Sequence, residues 1–443
     1  MSSLFGTDGV RGRSNVLLTP ELVIQLARAT AAQLGEPGHR VIIGRDTRTS
    51  GPMIESALAS GFASAGMDVS LAGVVPTPAI PFLIKDSRAD LGAIVSASHN
   101  PPDDNGIKLF DANGYKLSLE LEQSIEVAFT EQHPPAEKAG RVETLEAAAM
   151  SYAAFLAGTI DVEEIDLSEH TIVVDCAYGA TGKIAPHVLR HLGAIVVELN
   201  CAPDGERINQ DCGSTNLDFV RSAVIERRAD LGIAFDGDGD RVLLVTSTGQ
   251  TIDGDEMMGI AALHMQRTGA LAPPVVVATE MSNLGLEHTL EEAGIQLLRT
   301  PVGDRNVSQA LQTSGGLIGG EQSGHIIFAD HSTTGDGILT AVKLLEIAHE
   351  AGETLEALAS AIARYPQIHR AVPSRDPKGL SGDIEVLRAV AAAEEALANH
   401  GRVIVRPSGT QPVLRLTVEA EDAELCMRVA GALETTVRSR AES

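Results

Sequence analysis

The sequence predicts an α/β protein of three related domains with mixed, mostly parallel sheets, plus a smaller C-terminal α+β domain. Three observations carry that expectation. A strand, a polar or Gly-rich loop, an amphipathic helix and a second strand recur three times, as in consecutive βαβ units. The pentapeptide Arg88-Ala89-Asp90-Leu91-Gly92 returns unchanged as Arg228-Ala229-Asp230-Leu231-Gly232, each copy opening an apolar run. With 44% hydrophobic residues but only 3% aromatics, the material between layers is aliphatic, as in most α/β folds.

The first copy runs from the strand Val41-Ile42-Ile43-Gly44 through a helix near 53–65 to Gly66-Met67-Asp68-Val69. The second runs from Thr171-Ile172-Val173-Val174 through 183–192 to Gly193-Ala194-Ile195-Val196, and the third from Val275-Val276-Val277 through 284–293 to Gly294-Ile295-Gln296-Leu297. Superposing the identical pentapeptides sets Ser98 on Asp238. In the third copy Gly316-Leu317-Ile318-Gly319-Gly320 leads into Glu321-Gln322-Ser323-Gly324-His325 in looser register, which chance similarity also explains. Because open α/β sheets bind ligands beyond the carboxyl ends of their strands, three such domains aim three polar loops at one crevice.

Breakers set the boundaries. His133-Pro134-Pro135 and the helical stretch 146–157 end the first unit, and Gly249 to Asp255 ends the second. A loop-like stretch from Pro366 to Asp383 precedes a helix near 384–399, strands Arg402 to Val405 and Val413 to Val418, and a last helix from about 422. The expected domains are 1–150, 151–252, 253–368 and 369–443.

A formal charge of −26 over 443 residues and a pI near 4.8 oppose binding to nucleic acid or anionic membrane, which require a positive footprint. Any anionic substrate must be captured by local arginines. Cys176, Cys201, Cys212 and Cys426 show no C-x-x-C or Cys/His ligand spacing, as expected of reduced thiols in a cytoplasmic protein. No apolar run reaches the roughly 18 residues of a membrane span, and Met1 leads into Gly6-Thr7-Asp8-Gly9 without a signal-like apolar segment.

The run Leu231-Gly232-Ile233-Ala234-Phe235 ends in Asp236-Gly237-Asp238-Gly239-Asp240-Arg241. A buried strand thus delivers three carboxylates to one point. They repel one another unless a cation lies between them, and oxygen-only ligands suit Mg²⁺, Ca²⁺ or Mn²⁺ better than zinc. One Asp-Gly reads as a hairpin turn; three in register do not. An EF-hand fails, since Arg241 stands where that loop needs glycine and Ser247 where it needs a bidentate glutamate. Mg²⁺ is the expected ion.

The aligned loop of the first copy is Ser96-Ala97-Ser98-His99-Asn100-Pro101, followed by Asn105-Gly106-Ile107-Lys108. Serines are ordinary at such junctions, but the alignment sets Ser98 against the metal. There is no G-x-S-x-G elbow and His99 is a sequence neighbour, so acyl chemistry is disfavoured. A phosphoryl group on Ser98 suits the metal instead. Lys108 is a candidate proton donor and acceptor. In Arg406-Pro407-Ser408-Gly409-Thr410-Gln411-Pro412-Val413-Leu414-Arg415 a glycine between hydroxyl residues turns backbone N–H groups toward an anion, and Arg406 and Arg415 supply forks matched to phosphate. Glu321, Ser323 and His325 suit hydrogen bonding to sugar hydroxyls. Gly6 to Gly12 and Gly44-Arg45-Asp46-Thr47-Arg48 either complete a phosphoryl pocket or form internal ion pairs. Arg11, Arg45 and His99 join Ser98 and Lys108 as catalytic candidates.

Gly6 to Gly12, Ser96 to Pro101, Asp236 to Arg241, Glu321 to His325 and Arg406 to Pro412 stand in the order and spacing of the α-D-phosphohexomutase superfamily, which the chain resembles over nearly its whole length. The Ser96 and Gly320 loops, Ile208 to Thr215 and Thr300 to Arg305 look most like its glucosamine-phosphate branch. The resemblance implies a four-domain, heart-shaped molecule with Ser98 as a phosphoserine and Mg²⁺ held by Asp236, Asp238, Asp240 and that phosphoserine. It further implies sugar contacts from Glu321 and Ser323 and a clamp on the distal phosphate from Arg406, Ser408, Thr410 and Arg415. The implied activity is reversible conversion of glucosamine 6-phosphate to glucosamine 1-phosphate through glucosamine 1,6-bisphosphate, or another hexose 1,6-bisphosphate as primer, supplying UDP-N-acetylglucosamine for a bacterial cell wall. The rivals are a glucose or mannose phosphate mutase on the same scaffold, a Mg²⁺-dependent phosphatase and a catalytically silent sensor. The expected partner is a small sugar phosphate, with a homodimer left open. Two residues depart from the family: Gln411 stands where glutamate is usual, and Tyr178 where asparagine is common.

Overall fold

The computed structural model describes residues 4–6, 8–160, 165–398, 400–408 and 411–441. The chain forms two compact units, Met1–Glu280 with Leu298–Ala359, and Met281–Leu297 with Ser360–Ser443.

The first sheet runs in the order Val10–Arg13, Asp104–Phe110, Leu91–Val95, Arg40–Arg45, Asp68–Val74, Val142–Thr144. Its last four strands are parallel, and Asp104–Phe110 is antiparallel to both its neighbours. The second runs Thr251–Ile252, Val242–Thr246, Leu231–Phe235, Thr171–Asp175, Ile195–Leu199, again with a parallel set and an antiparallel return. In the third, ordered Gln296–Thr300, Val275–Thr279, Ile318–Gly320, Ile326–Phe328, the second and third strands are parallel and Ile326–Phe328 returns antiparallel. The three polar loops therefore occupy one topological place: each joins a parallel strand to its antiparallel return.

The repeated pentapeptide has a physical cause. Arg88 and Arg228 both take a left-handed conformation, φ 53°, to end the helices Ala79–Ser87 and Asp218–Arg227. Asp90 and Asp230 then accept the backbone N–H of Arg40 and of Thr171, each at 2.8 Å, tying the turn to the neighbouring strand. Gly92 and Gly232 let the helix lie close to the strand, because a Cβ would strike Ile84 or Val224. In the third copy Gly315, φ 71°, takes the left-handed position after Asp304–Ser314, and Gly319 lies against Val307. The looser register reflects a different cap on the same arrangement.

In the second unit Gln367–Pro373, Val413–Ala420 and Gly401–Pro407 form an antiparallel sheet with Val413–Ala420 in the centre. Its apolar face, Val372, Leu414, Leu416 and Val418, packs with Val386, Leu397, Val429, Leu433 and Val437 of the helices Ile384–Leu397 and Ala423–Ala441. The other face is polar. Glu419 there accepts from Arg402 Nε at 2.6 Å and from the N–H of Leu284 at 3.1 Å, while Asn283 bonds the backbone of Tyr365, so 281–297 belongs to this unit.

One expectation needs correcting. The stretch 366–383, read as a loop, contains the strand Gln367–Pro373 and the short helix Pro377–Ser381. It is an edge strand in which Val372 is the one buried residue, so no apolar alternation marks it. Among the described residues no helix is long and apolar enough to cross a membrane.

Candidate active site

The Ser98 and Asp236–Arg241 loops meet. Ser98 Oγ donates to Asp236 Oδ2 at 2.7 Å and lies 3.5 Å from Asp240 Oδ1. Carboxylate oxygens of Asp236, Asp238 and Asp240 lie within 4.8 Å of one another, and all three residues are buried. Asp238 Oδ2 accepts from Thr77 Oγ1 at 2.6 Å and from Lys108 Nζ at 3.2 Å. Its Oδ1 is buried with no hydrogen-bond partner. Burial, then Asp240 and Asp238, push the Asp236 carboxyl well above the usual range. An orphaned oxygen, crowded charge and an oxygen-only donor set fit a hard divalent cation such as Mg²⁺.

Lys108 is fully buried, 3.0 Å from Asp240 and 3.5 Å from Asp8. Burial opposes its charge, but Asp238, Asp240 and Asp8 outweigh burial and hold the ammonium form well above its ordinary value. Asp8 pairs with Arg11 and Lys116, and Lys116 with Asp304. Burial would raise Asp8, but Lys108, Lys116 and Arg11 prevail and hold it well below the carboxylate range. His325 closes the circuit, Nε2 3.9 Å from Asp304 and Nδ1 3.8 Å from Asp240. Acids and bases thus alternate around a ring drawn from all three sheets. The Gly335 N–H donates to His325 Nε2 at 3.0 Å, which favours the neutral ring, whereas Asp240, Asp304 and Glu321 outweigh burial and raise it. Nδ1 carries a proton in either form.

His99 Nδ1 lies 3.3 Å from Ser98 Oγ, and burial with Arg241 and Arg11 lowers its pKa to about 4, leaving the ring neutral. Glu321 Oε1 accepts the N–H of Gly303 at 3.2 Å and its Oε2 accepts from Ser323 at 3.3 Å, joining the sugar-type loop to Thr300–Arg305. Arg45 is not brought to Ser98. Its guanidinium pairs with Glu55 at 3.2 Å and donates to the Asp46 carbonyl, the internal ion pair of the two readings.

Sequence reasoning missed the residues that hold the serine loop. Arg48, fully buried, donates to the carbonyls of Ser98 at 3.0 Å, Asn100 at 2.8 Å and Asp104 at 2.8 Å, to that of Pro101, and to Asp46 at 3.0 Å. Asp46 accepts from Ser96 Oγ at 2.7 Å, and Ser96 Oγ accepts the Ser98 N–H at 2.9 Å. Asn209 donates to the Ser98 carbonyl at 2.8 Å. Arg48, Asp46, Ser96 and Asn209 all lie inside the motifs named above, but none has a partner visible in the sequence.

In the second unit Arg406 and Arg415 are direct cross-strand partners. Arg415 donates to Gln411 Oε1 at 3.2 Å, so a neutral amide takes the place of a carboxylate beside it. The N–H of Ser408 is bonded to Val413 at 3.0 Å. Gly409 and Thr410 lie outside the described residues. Tyr178, the other departure, stacks under the Arg207 guanidinium at 4.1 Å.

Four phosphoglucomutase/phosphomannomutase family profiles match in order: α/β/α domain I over 2–135, II over 150–249, III over 253–365 and the C-terminal domain over 354–435. The chain is 46% identical over 447 residues to the phosphoglucosamine mutase of Rhodococcus jostii, covering 99% of this chain and 100% of that one. A phosphoglucomutase/phosphomannomutase family protein from Burkholderia thailandensis shares the fold at TM-score 0.84 and 26% identity, over 99% and 98% of the two chains. So does Aspergillus fumigatus N-acetylphosphoglucosamine mutase, solved with GlcNAc-6P and magnesium, at TM-score 0.68 and 18% identity over 99% and 96%. The chain belongs to the phosphoglucosamine mutases, within the phosphoglucomutase/phosphomannomutase superfamily.

Proposed function

We propose that the chain interconverts glucosamine 6-phosphate and glucosamine 1-phosphate through a phosphoserine at Ser98 and a 1,6-bisphosphate. The observation that carries this reading is the 2.7 Å contact of Ser98 Oγ with a buried three-carboxylate cluster. Phosphorylated Ser98 gives its phosphoryl group to the free sugar hydroxyl: the phosphorus–Oγ bond breaks as the bond to the sugar oxygen forms, and the hydroxyl gives up its proton. The bisphosphate turns end for end, and Ser98 takes a phosphoryl group back from the other end. Asp236, Asp238 and Asp240 with the phosphoserine would hold Mg²⁺, which supplies charge neutralisation at the transferring group when bound. The magnesium complex of the Aspergillus enzyme supports that choice.

Lys108, charged among three carboxylates, donates a proton to the departing oxygen and regains one from the attacking hydroxyl, so that the proton the nucleophile loses ends on the leaving group. The neutral His99 ring is the acceptor within reach of Ser98. Glu321 and Ser323 meet the sugar, and Arg406, Ser408, Gly409, Thr410 and Arg415 hold whichever phosphate is not reacting. On this reading the serine, metal, sugar and phosphate loops divide the chain at 150, 252 and 368. Four free cysteines fit a reducing cytoplasm.

Turnover of glucosamine, glucose and mannose 6-phosphates, primed with a hexose 1,6-bisphosphate, tests the reading. The expected result is preference for the amino sugar without release of inorganic phosphate. Preference for glucose or mannose phosphate overturns the substrate, and stoichiometric phosphate release overturns the mutase.

A further inference from the structure

The tripeptide Gly335-Asp336-Gly337 joins two parts of the site that the reaction must keep in register. Its first residue donates its N–H to His325 Nε2 at 3.0 Å. Its last donates to the Gly239 carbonyl, between Asp238 and Asp240, at 3.0 Å. Both approaches require glycine: a Cβ on Gly335 would lie 2.5 Å from the His325 ring, and one on Gly337 would lie 2.6 Å from the Arg241 carbonyl oxygen. Neither backbone bond has slack.

What holds the tripeptide is Asp336, 1% exposed. Its Oδ1 accepts the Leu339 N–H at 3.0 Å, capping the helix Gly337–Ala351, and its own N–H donates to Ile326 at 3.1 Å. Its Oδ2 accepts from Tyr152 Oη at 2.5 Å. Tyr152 is fully buried on the helix Ala148–Ala157, with Phe82 and Phe155 at 5.9 and 6.1 Å between ring centres. A helix that contributes no group to the reaction centre is thereby fastened to the strap that carries the metal loop and His325.

We propose that Tyr152 and Asp336 are positioning residues: their hydrogen bond fixes Gly335–Gly337, and through it the aspartate loop and the orientation of His325. Outer contacts of this kind govern metal affinity and reactivity without touching substrate. The inference rests on the mutase reading for its consequence and on geometry alone for its premise.

Tyr152→Phe removes one oxygen and leaves Asp336 Oδ2 without a donor. Calorimetric titration of the full chain with Mg²⁺ should show affinity weakened ~10-fold, and kcat should fall by a similar factor while KM for glucosamine 6-phosphate stays within about twofold, since no sugar contact is lost. Asp336→Asn keeps the cap and a hydrogen bond to Tyr152 with donor and acceptor exchanged, so it should retain most of both properties. Should Tyr152→Phe fail to fold, Asp336→Ala and Asp336→Asn carry the same comparison. Unchanged Mg²⁺ affinity and kcat in Tyr152→Phe, or a loss of KM alone, overturns the inference. Failure of the mutase reading is distinguishable, because it appears as no turnover by the unsubstituted chain.

Discussion

Ser98 and the aspartates show what single residues owe to their surroundings. Three buried carboxylates within 4.8 Å are an arrangement in which one neutral substitution separates binding from folding. Asp238→Asn removes one charge but leaves the Thr77 hydrogen bond an oxygen acceptor. We predict Mg²⁺ affinity weakened at least ~10-fold and turnover largely lost, with the metal-free melting temperature little changed; a melt lowered in step with activity would assign the loop to the scaffold instead. Arg48 behaves oppositely. Its fork serves four carbonyls and Asp46, and lysine cannot reach them all. Arg48→Lys, with three donors for five acceptors, should lose at least two of these hydrogen bonds, at about 0.5–1.5 kcal/mol each, measurable by urea unfolding. These positions also mark the limit of sequence reading. The aspartates were legible because they are contiguous on one loop. Arg48, Thr77 and Asn209 were not, since their partners lie 50, 161 and 111 residues away. Nothing local separates Arg45 from Arg48, two arginines three apart, so the sequence does not say which of them reaches the serine loop.

At the scale of elements, the parallel strand with its antiparallel return explains why three loops of unlike composition share one place. That pattern was legible through the Arg-Ala-Asp-Leu-Gly repeat, whose arginine caps and glycine contacts recur. The strand Gln367–Pro373 was not, because an edge strand with one buried residue has no period to find. The helix Gly337–Ala351 yields a pH prediction through its cap. Burial raises the Asp336 carboxyl to about 6, although the Tyr152 bond and backbone N–H groups pull it down. A carboxyl raised on folding stabilises fully below its unfolded value near 4, and that stability is lost as pH rises through about 6. Asp336→Asn should therefore be more stable than the unsubstituted chain above pH 7, by at most about 3 kcal/mol, with the difference vanishing toward pH 4. Melts across that range check the sign. A variant less stable at pH 8 would show that the ionised cap contributes more than its burial costs.

Across the whole molecule, a chain of charge −26 sets out its site cations in two ways: Lys108 and Lys116 are paired amid carboxylates in one unit, and Arg406 stands opposite Arg415 in the other, the pair proposed above to hold phosphate. Substrate choice is the property least written in either place. If the Glu321 carboxylate meets the cationic C2 amine, a charge-assisted hydrogen bond of roughly 1.5–3 kcal/mol should favour glucosamine 6-phosphate over glucose 6-phosphate by about ten- to a hundredfold in kcat/KM. Glu321→Gln should then erase that ratio; an intact ratio with both substrates slowed would place Glu321 on the shared hydroxyls. The central claim is that Ser98 carries the phosphoryl group between the two ends of the sugar. Its most direct test is a single turnover with glucosamine 1,6-bisphosphate labelled in phosphorus, followed by peptide mapping and a chase with unlabelled glucosamine 6-phosphate. The account predicts label on Ser98 that passes quantitatively to sugar bisphosphate, and none in Ser98→Ala. Label on another residue, or label lost only to water, would contradict it.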